Sequence, residues 1–485
     1  MVKFKATLRP RAARPSVVLP SSTMTAMEQQ AQALEDAKAH DKAAKLWRQL
    51  THLDADKFLY WSRLGRNLFQ MRAFDKARPV LQHACRMKPN NRQAHLMLSA
   101  VLFHMGDDRS GRDVITSYFS RNPLSLADKN THQHPAILRV NGVTGVRIIA
   151  GAGHPKGPLV HRRGGHFQII NLLPDTVAPR HQLTMSSSRP PEIDIPDDVG
   201  VILNTMADPD IEGQGLDGLR AFLKNNDIPV LNAPENVKTT TRDANFMRFG
   251  NIDELHFPTT WRFKIDHQRA DELNAQITKR GIRSPYIVRI TGTHKGRSSA
   301  LVRTLDDLDK FLAANPGPAE IYAIQFVEAR NAQGYFNKMR LFSIDGVLFP
   351  AACHIDQTWQ VHGTNRLTLM KNAPWMMELE QAFMDDPQAV LGTTAMDTLK
   401  TMARQIDLDF FGFDFAMQKD GRPLIYELNP AMRHKYEYAD NFPYIRAPLE
   451  HITDAFTAMV GDRLGIEASV PHEFKATRLT KTPDQ

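Results

Sequence analysis

The sequence contains very little cysteine and no long apolar run. Its two cysteines, Cys85 and Cys353, are too few for a disulfide framework or for a zinc site built from four thiolates. No stretch approaches the roughly 20 apolar residues that a membrane helix needs, since even 143–150 is broken by Gly145 and Arg147. Glycine and proline, 27 and 30 of 485 residues, stay near the globular average. These features exclude disulfide-rich, membrane-spanning and collagen-like classes and predict a soluble chain in a reducing, cytoplasmic compartment with no membrane partner.

The excess of positive charge is concentrated at the amino terminus. The net charge is +8, but five basic residues precede the first acidic residue, Glu28. Residues 1–23 are therefore predicted to form a disordered basic leader, and whether they also act as a targeting segment stays open. Residues 466–485 are predicted to form a second tail. No motif interleaves aromatic side chains with basic ones, so we expect no nucleic-acid partner.

A repeat with a period of 34 residues begins at residue 24. Equivalent positions carry the same or a similarly small residue: Leu64 and Leu98; Ala43, Ala77 and Gly111; Pro89 and Pro123. Three segments resemble tetratricopeptide repeats, in which each repeat is a pair of antiparallel helices: 24–57, 58–91 and 92–125. The resemblance implies an all-α domain over 24–130 that binds a peptide, a protein or a carrier. The alternatives are that this domain supports the next one or mediates a homodimer.

After Pro123 the helical period gives way to strand-like runs that alternate with helices, which indicates a mixed α/β architecture. Four runs predict buried strands: 143–150, 167–172, 199–204 and 229–232. Residues 218–225 predict a helix between the last two strands. The pattern favours a small, doubly wound domain over 135–237.

A glycine pattern inside this domain has the literal form of a dinucleotide fingerprint, at Gly213, Gly215 and Gly218. The pattern begins about eight residues after its strand, whereas a dinucleotide-binding loop follows its strand at once. It is therefore weak support for a nucleotide site.

The strongest chemical signal lies in residues 412–432, which predict two strands joined by a tight turn at Asp420 and Gly421. This hairpin register places Asp414 opposite Glu427, with Asn429 on the same face. The other face is predicted to be core: Phe413, Phe415, Met417, Leu424, Tyr426 and Leu428. Facing carboxylates repel unless a cation or a shared proton compensates, and oxygen donors suit Mg²⁺. The hairpin predicts a magnesium site, and a solvated acidic face is the alternative.

At these residues the sequence resembles the ATP-grasp superfamily, in which an Asp and a Glu-x-Asn on the next strand hold metal ions that bridge ATP phosphates. The resemblance covers about residues 140–463 and is to carboxylate-amine ligases of the glutathione synthetase type. It implies an α/β pre-ATP-grasp domain over 135–237 and an α+β ATP-grasp domain over 238–465. It also implies ATP and two Mg²⁺ ions as cofactors, with Asp414, Glu427 and Asn429 as metal ligands.

Further segments carry the same resemblance. The strand 285–289 and the loop 292–299 look like the strand and mobile loop that cover the phosphates. Nucleotide-binding residues implied there are Arg289, Gly292, Thr293, Lys295, Gly296 and Ser298. The segment that usually contacts adenine and ribose would be Gln325, Phe326, Val327 and Glu328. Lys338 and Arg340 match the basic strand that faces the γ-phosphate, and Arg340 and Arg289 are the implied catalytic residues.

Two positions depart from the family pattern. Arg289 stands where the family usually has lysine, which keeps the charge but changes the contact geometry. Residues 242–245 lack the lysine of the Asp-Lys pair that the family generally carries at this helix start. Lys238 or Arg248 could replace that lysine, and the sequence alone leaves this open.

The second substrate is expected to bind the loop that follows the metal strand, at Arg433 and Lys435, and Arg366 is a further candidate. An exposed basic loop is the alternative. The resemblance implies an ATP-dependent carboxylate-amine ligase that forms an amide through an acyl phosphate, acting on a small-molecule carboxylate or amine, or on a peptide or protein. Two other functions stay open: a phosphotransferase, and an interaction scaffold with a degenerate ATP-grasp module. The identity of the substrates and the oligomeric state stay open as well.

Overall fold

The protein is described here by a computed structural model. The described residues are 21–127, 135–151, 157–162, 164–293, 298–471 and 474. The chain divides into two compact units, one of Met1–Tyr118 with Arg147–His161 and the other of Phe119–Val146 with Arg162–Gln485. Among the described helices, none is both long enough and apolar enough to cross a membrane.

The first unit is built from antiparallel helices with short turns between them. The helices are α1 (Ser21–Asp36), α2 (His40–Leu53), α3 (Phe58–Gln70), α4 (Phe74–Met87), α5 (Arg92–His104) and α6 (Asp108–Arg121). From α1 to α5 each helix packs against the next. The starts of α2, α4 and α6 follow the 34-residue period of the sequence, so each repeat is one helix pair. The helical architecture is confirmed, and the assignment to tetratricopeptide repeats stays a prediction.

The α/β part of the second unit contains one five-stranded sheet. The elements in this stretch of the chain are β1 (Leu124–Ser125), β2 (Ala136–Gly142), β3 (Val146–Ala150), β4 (Pro158–Arg162), β5 (Arg180–Met185), β6 (Val199–Asn204), α7 (Pro209–Leu223), β7 (Val230–Leu231) and α8 (Pro234–Lys238). Strands β3 and β4 pair with each other in a separate two-stranded sheet. The order of the large sheet is β1-β5-β2-β6-β7, with β1 antiparallel to β5 and the other pairs parallel. Residues 147–161, which hold most of β3 and β4, group with the helical unit.

Three of the four predicted runs contain a strand in this region, and one does not. The run 199–204 forms β6 and the run 229–232 contains β7. The run 143–150 lies after the sheet strand, because the chain leaves the sheet at Gly142 and then forms β3. The run 167–172 contains a 3-10 turn, Ile169–Asn171, instead of a strand. Phe167, Ile169 and Leu172 of this run are buried in the core, whereas Ile170 is exposed. The sequence missed β2 and β5.

A second, antiparallel sheet carries the predicted lid region. Its elements and the helices near it are α9 (Arg242–Phe249), β8 (Thr260–Ile265), α10 (Ala270–Lys279), β9 (Tyr286–Ile290), β10 (Ser299–Val302), α11 (Leu305–Ala314) and β11 (Ala319–Gln325). The strand order is β10-β9-β11-β8. The apolar faces of α10 and α11 pack on this sheet around Leu273, Ile277 and Leu308, so the sheet has a small core of its own.

A third sheet, also antiparallel, carries the acidic hairpin. Its elements and helices are β12 (Phe336–Ile344), β13 (Val347–Asp356), α12 (Pro374–Asp385), α13 (Pro387–Leu391), α14 (Thr393–Gln405), β14 (Phe410–Met417), β15 (Pro423–Asn429) and α15 (Arg446–Leu464). The order is β13-β12-β14-β15. Phe410, Phe411, Phe413 and Phe415 of β14 belong to one apolar cluster that also contains the core of the parallel sheet. The boundary between the two predicted domains at residue 238 stays a prediction.

The glycine pattern on α7 allows close packing at one of its positions. A Cβ added at Gly218 would lie 2.3 Å from the backbone oxygen of Ser187, so the helix could approach that segment only without a side chain. We expect Gly218→Ala to lower the free energy of unfolding by about 1–3 kcal/mol, because the helix or the segment must shift. The measurement is urea unfolding of the full chain.

Gly213 on the same helix supplies the control. No heavy atom lies within 4 Å of a Cβ at that position. Gly213→Ala should leave the free energy of unfolding unchanged or raise it by up to about 1 kcal/mol, because alanine favours helix more than glycine does. Equal effects of the two substitutions would contradict the packing role of Gly218.

Candidate functional site

The acidic hairpin has the register that its sequence predicts on one side of Asp414. Asp414 lies opposite Glu427, and Asn429 follows Glu427 by two residues on β15. A β-bulge follows Asp414, so that Phe415 pairs with Ile425. Asn429 Nδ2 also donates to Glu427 Oε1 at 2.9 Å, so the two carboxylates and the amide are placed together on the hairpin.

The bulge changes which hairpin residues face the core. Ile425 joins the large apolar cluster, whereas Leu424 and Tyr426 line a cavity on the other face together with the two carboxylates. The prediction that Leu424 and Tyr426 belong to the same core face as Phe413 is wrong. The bulge adds one residue to β15, and a shift of one residue moves a side chain to the opposite face.

This first cavity, of about 170 Å³, is lined by the second and third sheets. One part of its wall is apolar and is called the apolar slot here: Ile287, Ile324, Phe326, Val327, Trp359 and Leu424. The charged part of the wall holds Arg242, Arg289, Lys338, Asp414 and Glu427. Trp359 packs edge-on against Phe326, with ring centroids 6.3 Å apart, which fixes the shape of the slot.

Several predicted nucleotide residues meet in the first cavity. Arg289, Gln325, Phe326, Val327 and Lys338 all line it. Their role as nucleotide ligands stays a prediction.

Other predicted nucleotide residues lie elsewhere. Gly292 and Thr293 line an adjoining space of about 30 Å³ with Arg242 and Asn429. Glu328 is exposed and pairs with Arg330 at 2.7 Å. Ser298 contributes its backbone oxygen to the amide of Ile290. Lys295 and Gly296 lie outside the described residues.

Arginine and lysine side chains compensate both carboxylates. Arg340 binds Asp414 with two hydrogen bonds, from Nε to Oδ1 at 2.7 Å and from Nη2 to Oδ2 at 2.9 Å. Lys338 lies 3.7 Å from the same carboxylate. Burial alone would lower the pKa of Arg340, but the charge of Asp414 outweighs it and raises that pKa. Arg340 therefore stays charged.

Glu427 has its own partner on the start of helix α9. Arg242 Nη2 lies 2.7 Å from Glu427 Oε1, and Arg242 Nη1 donates to the backbone oxygen of Tyr426 at 2.9 Å. Arg242, at the start of helix α9, is thus a cation in the wall of the first cavity. Neither proposed substitute reaches this cavity, since Lys238 pairs with Asp217 at 2.6 Å and Arg248 donates to the backbone oxygen of Gln405.

Arg289 has a different environment. It is half-buried, and its guanidinium donates to the backbone oxygen of Thr293. Burial and the charge of Arg242 lower the pKa of Arg289 to about 10. Two cations held close together out of water repel each other, and an anion placed between them would remove that unfavourable energy. The electrostatics of this wall therefore suit an anionic ligand.

The residues of the hairpin fit a hard cation by their chemistry. Asp414, Glu427 and Asn429 offer oxygen donors, and a carboxylate that accepts two hydrogen bonds retains further lone pairs. The ion pairs with Arg340 and Arg242 already compensate the two carboxylates, so the argument that their repulsion requires a metal does not hold. In the described part of the chain, no group of three or more His, Cys, Asp or Glu residues is arranged to hold a metal ion.

A second cavity, of about 470 Å³, adjoins the first, and both are lined by Lys338 and His362. All three residues predicted to bind the second substrate line it: Arg366, Arg433 and Lys435. Arg340 also lines this second cavity, whereas its partner Asp414 lines the first. The Asp414–Arg340 ion pair thus lies in the wall that the two cavities share.

Sequence reasoning missed four residues that line these cavities. Arg242 was visible only as a departure from the family pattern. Trp359, His354 and His362 were given no role from the sequence, and the structure places them in the cavity walls. Burial and the charge of Arg366 lower the pKa of His354 well below its usual value, so this side chain is neutral.

Comparison with known proteins gives similarity at the level of backbone only. No family model and no curated protein matches the chain. Solved structures that resemble it include ATP-grasp ligases. D-alanyl-alanine synthetase A from Vibrio cholerae is 12% identical, with 69% of this chain and 99% of that chain covered and a TM-score of 0.36.

Two further structures give similar values. An ATP-grasp RimK domain protein from Sphaerobacter thermophilus is 13% identical, with 56% of this chain and 90% of that chain covered and a TM-score of 0.33. N5-carboxyaminoimidazole ribonucleotide synthetase, solved as an ADP complex, is 16% identical, with 56% and 62% covered and a TM-score of 0.35. The match thus spans about three fifths of that synthetase. Similarities this weak do not establish family or function.

The shared ion pair generates a prediction about stability. The side chain of Asp414 is 4% exposed and that of Arg340 is 18% exposed. Asp414→Ala should lower the free energy of unfolding by about 3 kcal/mol, because it leaves a mostly buried guanidinium without its carboxylate. The double substitution Asp414→Ala with Arg340→Met should lower the free energy of unfolding by less than Asp414→Ala alone. Urea unfolding of the single and double variants checks this prediction. A decrease in the double variant that equals the sum of the decreases in the two single variants would contradict it.

Proposed function

We propose that the chain is an ATP-dependent carboxylate-amine ligase that forms an amide through an acyl phosphate. The observation that carries the proposal is the first cavity, where Arg242, Arg289 and Lys338 face two carboxylates beside the apolar slot. Excess positive charge suits a polyphosphate, and an apolar slot suits a purine base. The sequence resemblance to ATP-grasp ligases supports the same assignment.

The two cavities would hold the two partners of a phosphoryl transfer. ATP would place its base in the apolar slot and its phosphates toward Arg242, Arg289 and Lys338. The acid would lie in the second cavity. Lys338 would neutralise the group in transfer, because it lines both cavities. Asp414, Glu427 and Asn429 would hold Mg²⁺, which when bound neutralises phosphate charge.

The proposed chemistry has two steps. First, the bond between the γ-phosphorus and the oxygen of the leaving ADP breaks as a carboxylate oxygen of the acid bonds to that phosphorus. Phosphorylation thus turns the carboxylate oxygen, which is a poor leaving group, into part of a phosphate, which leaves readily. Then the amine nitrogen attacks the carbonyl carbon, loses a proton and expels phosphate. No side chain of the protein forms a covalent bond, and exclusion of water would protect the acyl phosphate from hydrolysis.

The first test is a calorimetric titration of Mg-ATP into the full chain. We expect binding by the wild type and at least about tenfold weaker binding by Asp414→Asn. This substitution removes a negative charge from the hairpin and leaves Arg340 without its carboxylate partner. Asp420→Asn is the matched control, because Asp420 lies in the turn of the same hairpin, is exposed and pairs with Arg422. No heat of binding by a folded wild type would refute a nucleotide site.

A second test uses hydroxylamine as the amine. Hydroxylamine converts an acyl phosphate to a hydroxamate, so incubation with Mg-ATP and carboxylic acids should give hydroxamate and ADP in equal amounts. ADP without hydroxamate would instead favour a phosphotransferase that acts on another group. A folded chain that binds Mg-ATP but gives neither product with any acid would favour a scaffold function.

In the same proposal, the helical unit is the part of the chain that binds a peptide, a protein or a carrier. Its helix pairs follow the 34-residue period, and stacked pairs of this kind form extended surfaces. In the hydroxamate assay, a peptide should then have a lower KM than its free carboxyl-terminal amino acid. Equal KM values would assign this unit a structural role.

A further inference from the structure

The second cavity contains a buried guanidinium with one unused donor. Arg366 is 2% exposed. Its Nη2 donates to Glu380, and its Nε lies 3.2 Å from His354 Nδ1. Its Nη1 is buried and has no hydrogen-bond partner among the described residues. A buried donor without an acceptor is unfavourable, and an anionic oxygen in the cavity would satisfy it.

The surroundings of Arg366 fix its position. Glu380 also accepts from the backbone amide of Cys353 at 2.8 Å and from the hydroxyl of Tyr444 at 3.0 Å. The guanidinium lies 5.6 Å from the ring centroid of Tyr438. A guanidinium held from several sides keeps its Nη1 in place, so it offers a preorganised site at low entropic loss on binding.

The cavity also carries more positive charge than its own carboxylates compensate. Arg340 pairs with Asp414, and Lys435 pairs with Glu437 at 2.7 Å. Burial, together with neighbouring positive charge, lowers the pKa of both lining histidines, so neither adds a charge near neutral pH.

Two cations are left after these pairings. Arg433 makes no ion pair within the described part of the chain. Lys338 approaches a carboxylate only at 3.7 Å, and that carboxylate is already bound by Arg340. Two anionic charges on a ligand would balance them.

The two cations are placed differently. Lys338 lines both cavities, next to the proposed phosphate site, whereas Arg433 and Arg366 line only the second. One anionic group of a ligand can therefore lie where phosphoryl transfer would occur, while another binds away from it.

We propose that the acid activated by this chain carries two anionic groups, and that Arg366 and Arg433 bind the group that does not react. This inference rests on the proposed function and deepens it, because it names the substrate class. The reacting group is a carboxylate beside Lys338. The second group is a carboxylate or a phosphonate-like oxyanion, since the unused Nη1 can donate a hydrogen bond to the oxygen of either group.

The test compares binding of three acids to the full chain by calorimetry, with and without a non-hydrolysable Mg-ATP analogue. The probes are glutarate, 3-phosphonopropionate and valerate, the last being a five-carbon acid with one charge. We expect one or both dianions to bind at least about tenfold more tightly than valerate, from one additional charged hydrogen-bonded contact. Tighter binding of glutarate would identify a second carboxylate, and tighter binding of the phosphonate would identify a phosphate-type group.

Two variants locate the effect. Arg433→Gln should reduce the preference for dianions to near unity while leaving binding of the Mg-ATP analogue unchanged. Arg366→Lys keeps the positive charge but loses the planar set of N–H donors of the guanidinium, and it should also reduce the preference for dianions. Arg404→Gln, an exposed arginine on α14, is the matched control. Because Arg366 is buried and its variant could misfold, Arg433→Gln carries the decision.

The outcomes separate this inference from the proposed function. A preference for dianions that depends on Arg433 supports the site for two anionic groups, and if the Mg-ATP analogue does not bind, the proposal that the bound acid is activated by ATP is the part that fails. Equal binding of valerate and both dianions overturns the inference, even if the analogue binds. A preference that persists in Arg433→Gln, or that disappears equally in Arg404→Gln, overturns it as well.

Discussion

The bidentate ion pair between Asp414 and Arg340 is the interaction on which both cavities depend. The pair joins two neighbouring strands, β14 and β12, which are paired at these same two residues. Its carboxylate faces one cavity and its guanidinium the other. A mostly buried pair of this kind contributes modest net stability but strongly disfavours arrangements that separate the charges. It therefore fixes the position of the wall across which a phosphoryl group would pass.

Two further arginines, Arg242 and Arg289, line the first cavity beside this pair. Arg242 is paired with Glu427, but its charge also acts on Arg289, whose pKa falls to about 10 as a result of burial and this repulsion. A protein that only needed to be stable would not keep two arginines so close in a partly dry wall. In the proposed function, a polyanionic ligand would account for the arrangement, because it would turn repulsion between neighbours into attraction toward a shared charge.

Local patterns in the sequence predicted much of the architecture. The 34-residue period predicted the helix pairs, because each pair buries its apolar face in the same way. The hairpin and its pair Asp414–Glu427 were predicted from the turn at Asp420 and Gly421, but the pairs next to that turn are shifted by one residue, and only the bulge after Asp414 restores the predicted pairing. The strands β2 and β5 were missed, since a strand such as Arg180–Met185 carries polar residues that its neighbours in the sheet bury.

The candidate site was less predictable, because two of its features depend on contacts between distant segments. The bulge after Asp414 has no local signal in the sequence, yet it decides that Leu424 and Tyr426 line a cavity. Arg242 lies nearly 200 positions before Glu427 and meets it only because α9 lies beside β15.

The bulge and the ion pairs together explain how one hairpin serves both the core and a polar site. On the core side, Phe413, Phe415 and Ile425 anchor the hairpin in the large apolar cluster. On the cavity side, the extra residue of β15 leaves Tyr426 and Glu427 both lining the first cavity, although they are adjacent in sequence. A regular strand would place adjacent side chains on opposite faces. The irregularity thus lets an aromatic ring and a carboxylate contribute to the same wall, where the proposed function would place a base and its phosphates.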